Sequence, residues 1–250
     1  DALKRNPFEM EHSVRSFVQS LREDLSQIVP TGTEYYRARI GVHSRLKRKH
    51  TIPQEKQEFR YLPHTGKDID RPPLALATEG RFNRARVSIL YLASDPSTAV
   101  AELRPHPGHL VSTVKFRSKR DLLVANFAKH DIRNFLSDSR LEELRRILSI
   151  ADVLNVPVQP EHHTLYAVTQ LFSDAVRAEG YDGLAFNSSV GTGTNFTCFA
   201  NDAFEMVAGS GGVQEIVSLK YHMSEIAILP EDYDQDVFQK DEDSPLATLL

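Results

Sequence analysis

Over residues 88–103 the chain passes from a continuous apolar run, SILYLA, into Asp95-Pro96 and then a short helical stretch that ends before Pro105 and Pro107. The apolar run has strand length and reads as a buried strand. Asp95 is placed as a helix N-cap, and Pro96 falls in the first turn, where its missing N–H leaves no hydrogen bond unmade. A strand that is apolar throughout belongs in a core sheet, so this unit organises the fold around strands.

The other segments surround it irregularly. Met10, Val14, Phe17, Val18, Leu21, Leu25 and Ile28 recur at spacings of three and four. They predict an amphipathic helix, entered at Asn6-Pro7 and ended by Pro30 and Gly32. Its stripe is expected on the following domain, with a homo-oligomeric partner as the alternative. YYRARI (35–40) is β-prone. Residues 41–79 show no sustained periodicity and predict a long loop carrying Arg45, Lys47, Arg48 and Lys49.

Further strands are predicted over 111–116, 122–127, 182–186, 196–200, 204–208 and 215–229, the last from alternating Val217, Leu219, Tyr221 and Met223. A capping box at Ser139 and Glu142 opens one helix, and a second runs over 165–176 and closes at Gly180. The predicted class is α+β: a compact β-sheet core with flanking helices, plus the N-terminal amphipathic helix. Three parts follow: a helical segment 1–32, a main domain 33–229 and an acidic tail 230–250.

The net charge of −4 hides two opposed segments. Residues 231–243 hold seven acids and one base, a local −6, which leaves the rest of the chain at +2. Residues 37–84 hold twelve Lys or Arg against five Asp or Glu. The tail reads as solvated, while the basic segment suits an anionic ligand. The RLKRK patch lacks interleaved aromatics and a reading motif, so nucleic acid is not the expected partner. No apolar run approaches the ~18 residues of a membrane span. The single Cys198 and the absence of a signal-peptide apolar region fit a reducing, cytoplasmic setting.

Metal and phosphate-loop chemistry finds little support in spacing. His106 and His109 sit between prolines, and His162-His163 are adjacent; neither has the i, i+4 spacing of a helical zinc pair, and no metal site is expected. Gly191-Thr192-Gly193 lacks the third glycine and the context of a dinucleotide fingerprint. The sequons at Asn187 and Asn195 read as chance matches without a secretory signal.

Several other segments stand out together. Tyr36-Arg37 lies in the β-prone run, Gly80-Arg81-Phe82-Asn83 precedes SILYLA, and Tyr91 is within it. Glu102 stands on a short helix of small and apolar residues, and FNSSVGTGTNF follows YDGLAF. A carboxylate in such company is costly unless paired or used. The bland account is an ion pair with Arg104 or a loop arginine.

These segments resemble the RES-domain family, named for an Arg, a Glu and a Ser. GRFN…ILYLASDPSTAVAELRP is similar to its central signature, YYRAR to its arginine motif and FNSSVGTGTNF to its serine loop, together spanning residues 35–200. The resemblance implies an NAD-degrading toxin of a bacterial toxin–antitoxin module, with a fold similar to diphtheria-toxin-type ADP-ribosyltransferases. Carried over by motif, the catalytic residues are Glu102, Arg37 and Ser188. Substrate binding falls to Tyr91, Arg37, Arg81 and Ser188, with Ser189 as the alternative serine. Arg84-Ala85-Arg86 replaces a proline and glycine usual after the GR-aromatic-N turn, the 41–79 insertion is long, and short members lack the N-terminal helix.

Those residue types suit cleavage of the nicotinamide–ribose bond. Positive charge develops on the ribose, as in glycoside hydrolysis, and Glu102 is the anion placed to stabilise it. Arg37 would hold the pyrophosphate, Tyr91 would stack on nicotinamide, and Ser188 would bond its amide or the ribose. Arg81 would assist with phosphate or brace its turn. NAD is then a substrate, with no cofactor, and water or inorganic phosphate is the nucleophile. A neutralising antitoxin protein is the expected partner. The alternatives are ADP-ribosyl transfer to a macromolecule and an inactive RES-like module binding a nucleotide or partner; the second would have lost a motif residue, and none is lost.

Overall fold

A computed structural model describes residues 7–49, 57–155, 166–220 and 223–228. The chain divides into two units, one reaching Val217 and the other starting at Ser218. In the second unit the described residues form no regular secondary structure, and Met223, Ile226 and Ile228 are exposed. The acidic tail, Asn6, Leu165 and His162-His163 lie outside the described residues, as does the side chain of Met10.

The first unit is a mixed α+β structure built on a nine-stranded sheet. Its strands are β1 (Ser26–Val29), β2 (Glu34–Ile40), β5 (Leu90–Ala93), β6 (Leu110–Ser118), β7 (Leu122–Asn126), β8 (Gly183–Asn187), β9 (Thr194–Cys198), β10 (Phe204–Met206) and β11 (Gly212–Glu215). They run in the order β1-β7-β8-β9-β5-β2-β6-β10, with β11 also on β6. Among these pairs only β7 and β8 are parallel.

Alternation along the strands feeds a core on each face. Leu90, Leu92, Val114, Phe116, Leu122, Val124, Phe196 and Cys198 join one core. Ala125, Phe127, Leu184 and Phe186 join the other, beneath three helices: α1 (Pro7–Ser20), α4 (Asp138–Asn155) and α5 (Tyr166–Ala178). Two shorter helices, α2 (Arg22–Leu25) and α3 (Pro96–Ala101), complete the unit.

The N-terminal stripe packs on this domain through Val18 and Leu21, with Val14 and Phe17 partly buried beside them. The helix is shorter than its periodicity predicts. It breaks at Leu21, and Ser26–Val29 becomes an edge strand antiparallel to β7. There Val29 is buried and Ile28 half exposed. Two adjacent β-branched residues fit strand alternation as well as the helical stripe, and pairing with β7 decides between them.

Three other expectations are corrected. The 41–79 segment is not a plain loop: β3 (Ser44–Lys47) and β4 (Phe59–Leu62) form an antiparallel two-stranded sheet. Arg45 lies over the Phe59 ring at 3.7 Å and Arg48 pairs with Glu58, so the basic patch is partly matched within the hairpin. Of the strand expected over 215–229 only Glu215 is in a strand among the described residues: β11 ends there, and Val217 is exposed. Helix α4 starts at Asp138, so Ser139 lies inside it and Glu142 pairs with Arg145 instead of closing a capping box.

Candidate active site

Strands β2 and β5 are adjacent, yet only Tyr36 and Ala93 pair across them. Beyond that bridge β2 stays with β6 through seven residue pairs, and β5 stays with β9 through four. A cavity of about 310 Å³ opens along this weak seam. Strand β2 lends it Tyr36, Arg37 and Ala38; β5 lends Tyr91, Leu92 and Ala93; Ala99, Glu102 and Leu103 come from α3 and its end. Arg81, Phe82, Phe186 and Asn195 complete the wall.

Glu102 caps the C-terminus of α3, its backbone N–H still bonded to the Thr98 carbonyl. Its side chain makes no ion pair with Arg104 or any other described residue. Two neutral donors meet it instead: the Ser188 hydroxyl and the Asn195 amide each donate to Oε1 at 2.6 Å. No described protein donor reaches Oε2. The carboxylate is thus oriented by hydrogen bonds and makes no ion pair among the described residues, while the Arg81 guanidinium on the same wall acts on it electrostatically.

The Ser188 hydroxyl is itself fixed. It accepts the amides of Val190 at 3.2 Å and Gly191 at 2.8 Å, a small anion-like nest turned onto a hydroxyl. Ser189 makes no side-chain hydrogen bond among the described residues, so Ser188 is the serine that reaches Glu102. The loop from Ser188 to Gly193 lies on the start of α3. Gly193 N–H donates to Thr98 Oγ1 at 3.0 Å, and Thr194 N–H donates to Ser94 Oγ at 2.9 Å.

This approach accounts for the GTG sequence. A Cβ on Gly193 would lie 2.1 Å from Asp95 Oδ2 and 2.4 Å from Ser94 Oγ, and one on Gly191 would lie 3.1 Å from the Thr98 Cα. Asp95 joins the pieces, as the sequence suggests: it caps α3 at the Thr98 amide and also accepts from the hydroxyls of Ser94, Ser97 and Thr98. Partial burial pushes its carboxyl upward, but these bonds prevail and hold it at about 2.

Arg37 is half-buried, and its guanidinium donates to the Tyr91 carbonyl at 3.0 Å. Its Nε is shut away from solvent with no hydrogen-bond partner, and no carboxylate lies in ion-pair range among the described residues. Burial draws the group down to about 10, with Asp70 acting the other way, so it remains a cation at neutral pH. A buried cation without an anion is costly.

Tyr91 serves the GRFN turn. Its hydroxyl donates to Asn83 Oδ1 at 2.7 Å and accepts from the Phe82 amide at 3.1 Å, which commits the hydroxyl but leaves the ring in the cavity wall. Burial pushes its phenol well above the usual range. Asn83 in turn donates to the carbonyls of Thr78, Arg84 and Val87. Arg81 donates to the Leu154 carbonyl near the end of α4 and lies within 6.0 Å of the Phe186 ring centroid. Where Arg84-Ala85-Arg86 departs from the family pattern, Arg86 adopts φ of +66°, the left-handed region that glycine occupies without strain.

The residues singled out from sequence are therefore gathered: Arg37, Arg81, Tyr91 and Glu102 line one cavity, and Ser188 is bonded to Glu102. Asn195 was not among them. It is buried as the second residue of β9 and occupies a sequon-like triplet; a polar residue entering that buried strand was the available signal.

The sequence profile of the RES domain matches residues 50–219, about two thirds of the chain. The chain belongs to the RES domain family. Tyr91, Glu102 and Ser188 fall inside the matched stretch, whereas Arg37 precedes it. Among solved structures, the toxin–antitoxin complex of MbcT and MbcA from M. tuberculosis aligns at 10% identity with a TM-score of 0.41, over 82% of this chain and 92% of the matched one. A search of curated proteins gives no match. No helix among the described residues is long and apolar enough to cross a membrane.

Proposed function

We propose that this protein is an NAD-consuming enzyme that cleaves the nicotinamide–ribose bond and acts as a toxin depleting cellular NAD. The observation that carries this reading is the state of Glu102: a carboxylate oriented through Oε1 by Ser188 and Asn195, with no ion pair among the described residues, on the wall of a cavity that also holds Arg37, which likewise has none among them. Membership of the RES family, and its resemblance to NAD-degrading toxins with a diphtheria-toxin-type fold, supports the choice of substrate.

Bond cleavage builds positive charge on the ribose. The Glu102 carboxylate stabilises that charge through Oε2, which no donor among the described residues reaches. Nicotinamide departs as a neutral base, so no general acid is required. Arg37 binds the pyrophosphate; an anion there supplies the partner that the buried guanidinium lacks. The Tyr91 ring stacks on nicotinamide while its hydroxyl holds the turn. Ser188 acts on Glu102 as a positioning residue, since its hydroxyl is already engaged. The bond from Arg81 to Leu154 favours its bracing role over phosphate binding.

The cavity is at the small end for ligand pockets, so part of a dinucleotide would extend beyond it. A cytoplasmic location and a neutralising antitoxin belong to the same reading. Incubation with NAD, with and without inorganic phosphate, tests it through the ribose product. Free nicotinamide with ADP-ribose marks hydrolysis, and ADP-ribose 1″-phosphate marks phosphorolysis. Unchanged NAD would refute it, and label transferred to a macromolecule in lysate would mark ADP-ribosyl transfer instead.

A further inference from the structure

Outside the cavity, the insertion that sequence periodicity left unassigned brings together His43, His64 and Asp68, whose donor atoms all lie within 4.8 Å of one another. His43 precedes β3, His64 follows β4, and Asp68 ends a 3-10 turn at Gly66–Asp68. The hairpin between them makes these residues neighbours, which is why sequence spacing does not reveal them. The histidine pair that spacing does reveal is self-contained: the His106 amide donates to His109 Nδ1 at 3.2 Å.

The donor set suits a three-ligand cation site, and the two separations measured to Asp68 bracket the spacing such a site needs. His43 Nδ1 lies 3.0 Å from Asp68 Oδ2, and His64 Nδ1 lies 3.8 Å from the same oxygen. A tetrahedral ion held about 2.1 Å from each donor sets them roughly 3.4 Å apart, between these two separations. A simple histidine–aspartate hydrogen bond explains only His43. His64 Nδ1 is buried with no hydrogen-bond partner, and 3.8 Å is too long for one. Buried polar nitrogens are rarely left so.

The frame around His64 is also fixed. Its amide donates to Ser112 Oγ at 3.0 Å, and Ser112 donates to the Gly41 carbonyl at 2.8 Å, tying the segments that flank the hairpin to β6. Gly41 has φ of +97°, and a Cβ there would sit 3.4 Å from His64 Nε2. Arg39, which donates to the Asp68 carbonyl, adds an opposing positive charge. That charge disfavours hard cations held mainly by electrostatics more than ions bound covalently by imidazole.

We propose that His43, His64 and Asp68 form a binding site for a divalent transition-metal ion of the zinc class, with one coordination position left to water, which fastens the base of the β3–β4 hairpin to the sheet. Two imidazoles and one carboxylate suit zinc and not magnesium.

The full chain, stripped with a chelator, is titrated with Zn²⁺ by calorimetry, and the metal retained after gel filtration is measured. Wild type and a His106→Ala/His109→Ala control are expected to take up one equivalent, with no comparable response to Mg²⁺. His43→Ala, at a mostly exposed position, and Asp68→Asn are expected to bind at least about tenfold more weakly, with unchanged circular dichroism. Absence of stoichiometric uptake by wild type would overturn the proposal. So would wild-type affinity in either folded variant.

Discussion

The Ser188 hydroxyl donates to Glu102 Oε1 at 2.6 Å, joining the loop after β8 to the residue that caps the C-terminus of α3. Because two backbone amides hold the same hydroxyl, its orientation is set before any ligand arrives. Ser188→Ala should therefore fold normally and lose on the order of 10² in kcat through a misplaced carboxylate. Ser189→Ala should be close to wild type. Steady-state NAD kinetics on the two variants check this; equal losses would remove Ser188 from its positioning role.

Arg37 presents the reverse balance of stability and function. Its guanidinium is buried and charged, with no carboxylate in ion-pair range among the described residues, and it donates to the Tyr91 carbonyl. Arg37→Met gives up that bond but also the cost of the isolated charge. Its unfolding free energy should stay within about 1 kcal/mol of wild type, while KM for NAD rises steeply. A loss of about 3–5 kcal/mol in denaturant unfolding, the signature of a broken buried pair, would contradict this.

Gly193 tests the seating of the loop on α3. The Cβ of Gly193→Ala would meet Asp95 Oδ2, Ser94 Oγ and Thr98 Oγ1, all within 2.6 Å. The loop must shift, at about 1–3 kcal/mol. Activity should fall further than stability, because the same shift draws Ser188 away from Glu102. Parallel thermal melts and NAD assays separate the two effects.

How much of this was legible in sequence depended on whether the signal was local. SILYLA, the Asp95-Pro96 cap and Glu102 are neighbours in the chain, and their arrangement followed from strand length and capping chemistry. The link between Glu102 and Ser188 spans 86 positions and came only through family resemblance. Asn195 escaped because nothing in TNFT says that its amide turns toward α3. His43, His64 and Asp68 escaped because a hairpin, not a periodic element, brings them together. At Ser26–Val29 the helical stripe misled, since strand pairing with β7 overrode local periodicity.

Asp95 makes the α3 cap sensitive to acid. Its folded carboxyl is held at about 2, below the ordinary value of about 3.9. The stability this contributes is present above the unfolded pKa and is lost as pH falls from about 4 toward about 2. Asp95→Ala removes it at every pH, at about 1 kcal/mol near neutrality for the lost cap. Urea unfolding of both proteins should show their difference shrinking over that acid window; a difference independent of pH would contradict the assignment.

The most direct test of the whole account is the time course of NAD loss for wild type against Glu102→Gln. The amide keeps the shape of the side chain and accepts the same two hydrogen bonds but carries no charge. Glu102→Gln should be fully folded, with turnover lower by on the order of 10²–10³, about 2.7–4 kcal/mol of transition-state stabilisation. Near-wild-type NAD consumption by folded Glu102→Gln would contradict it.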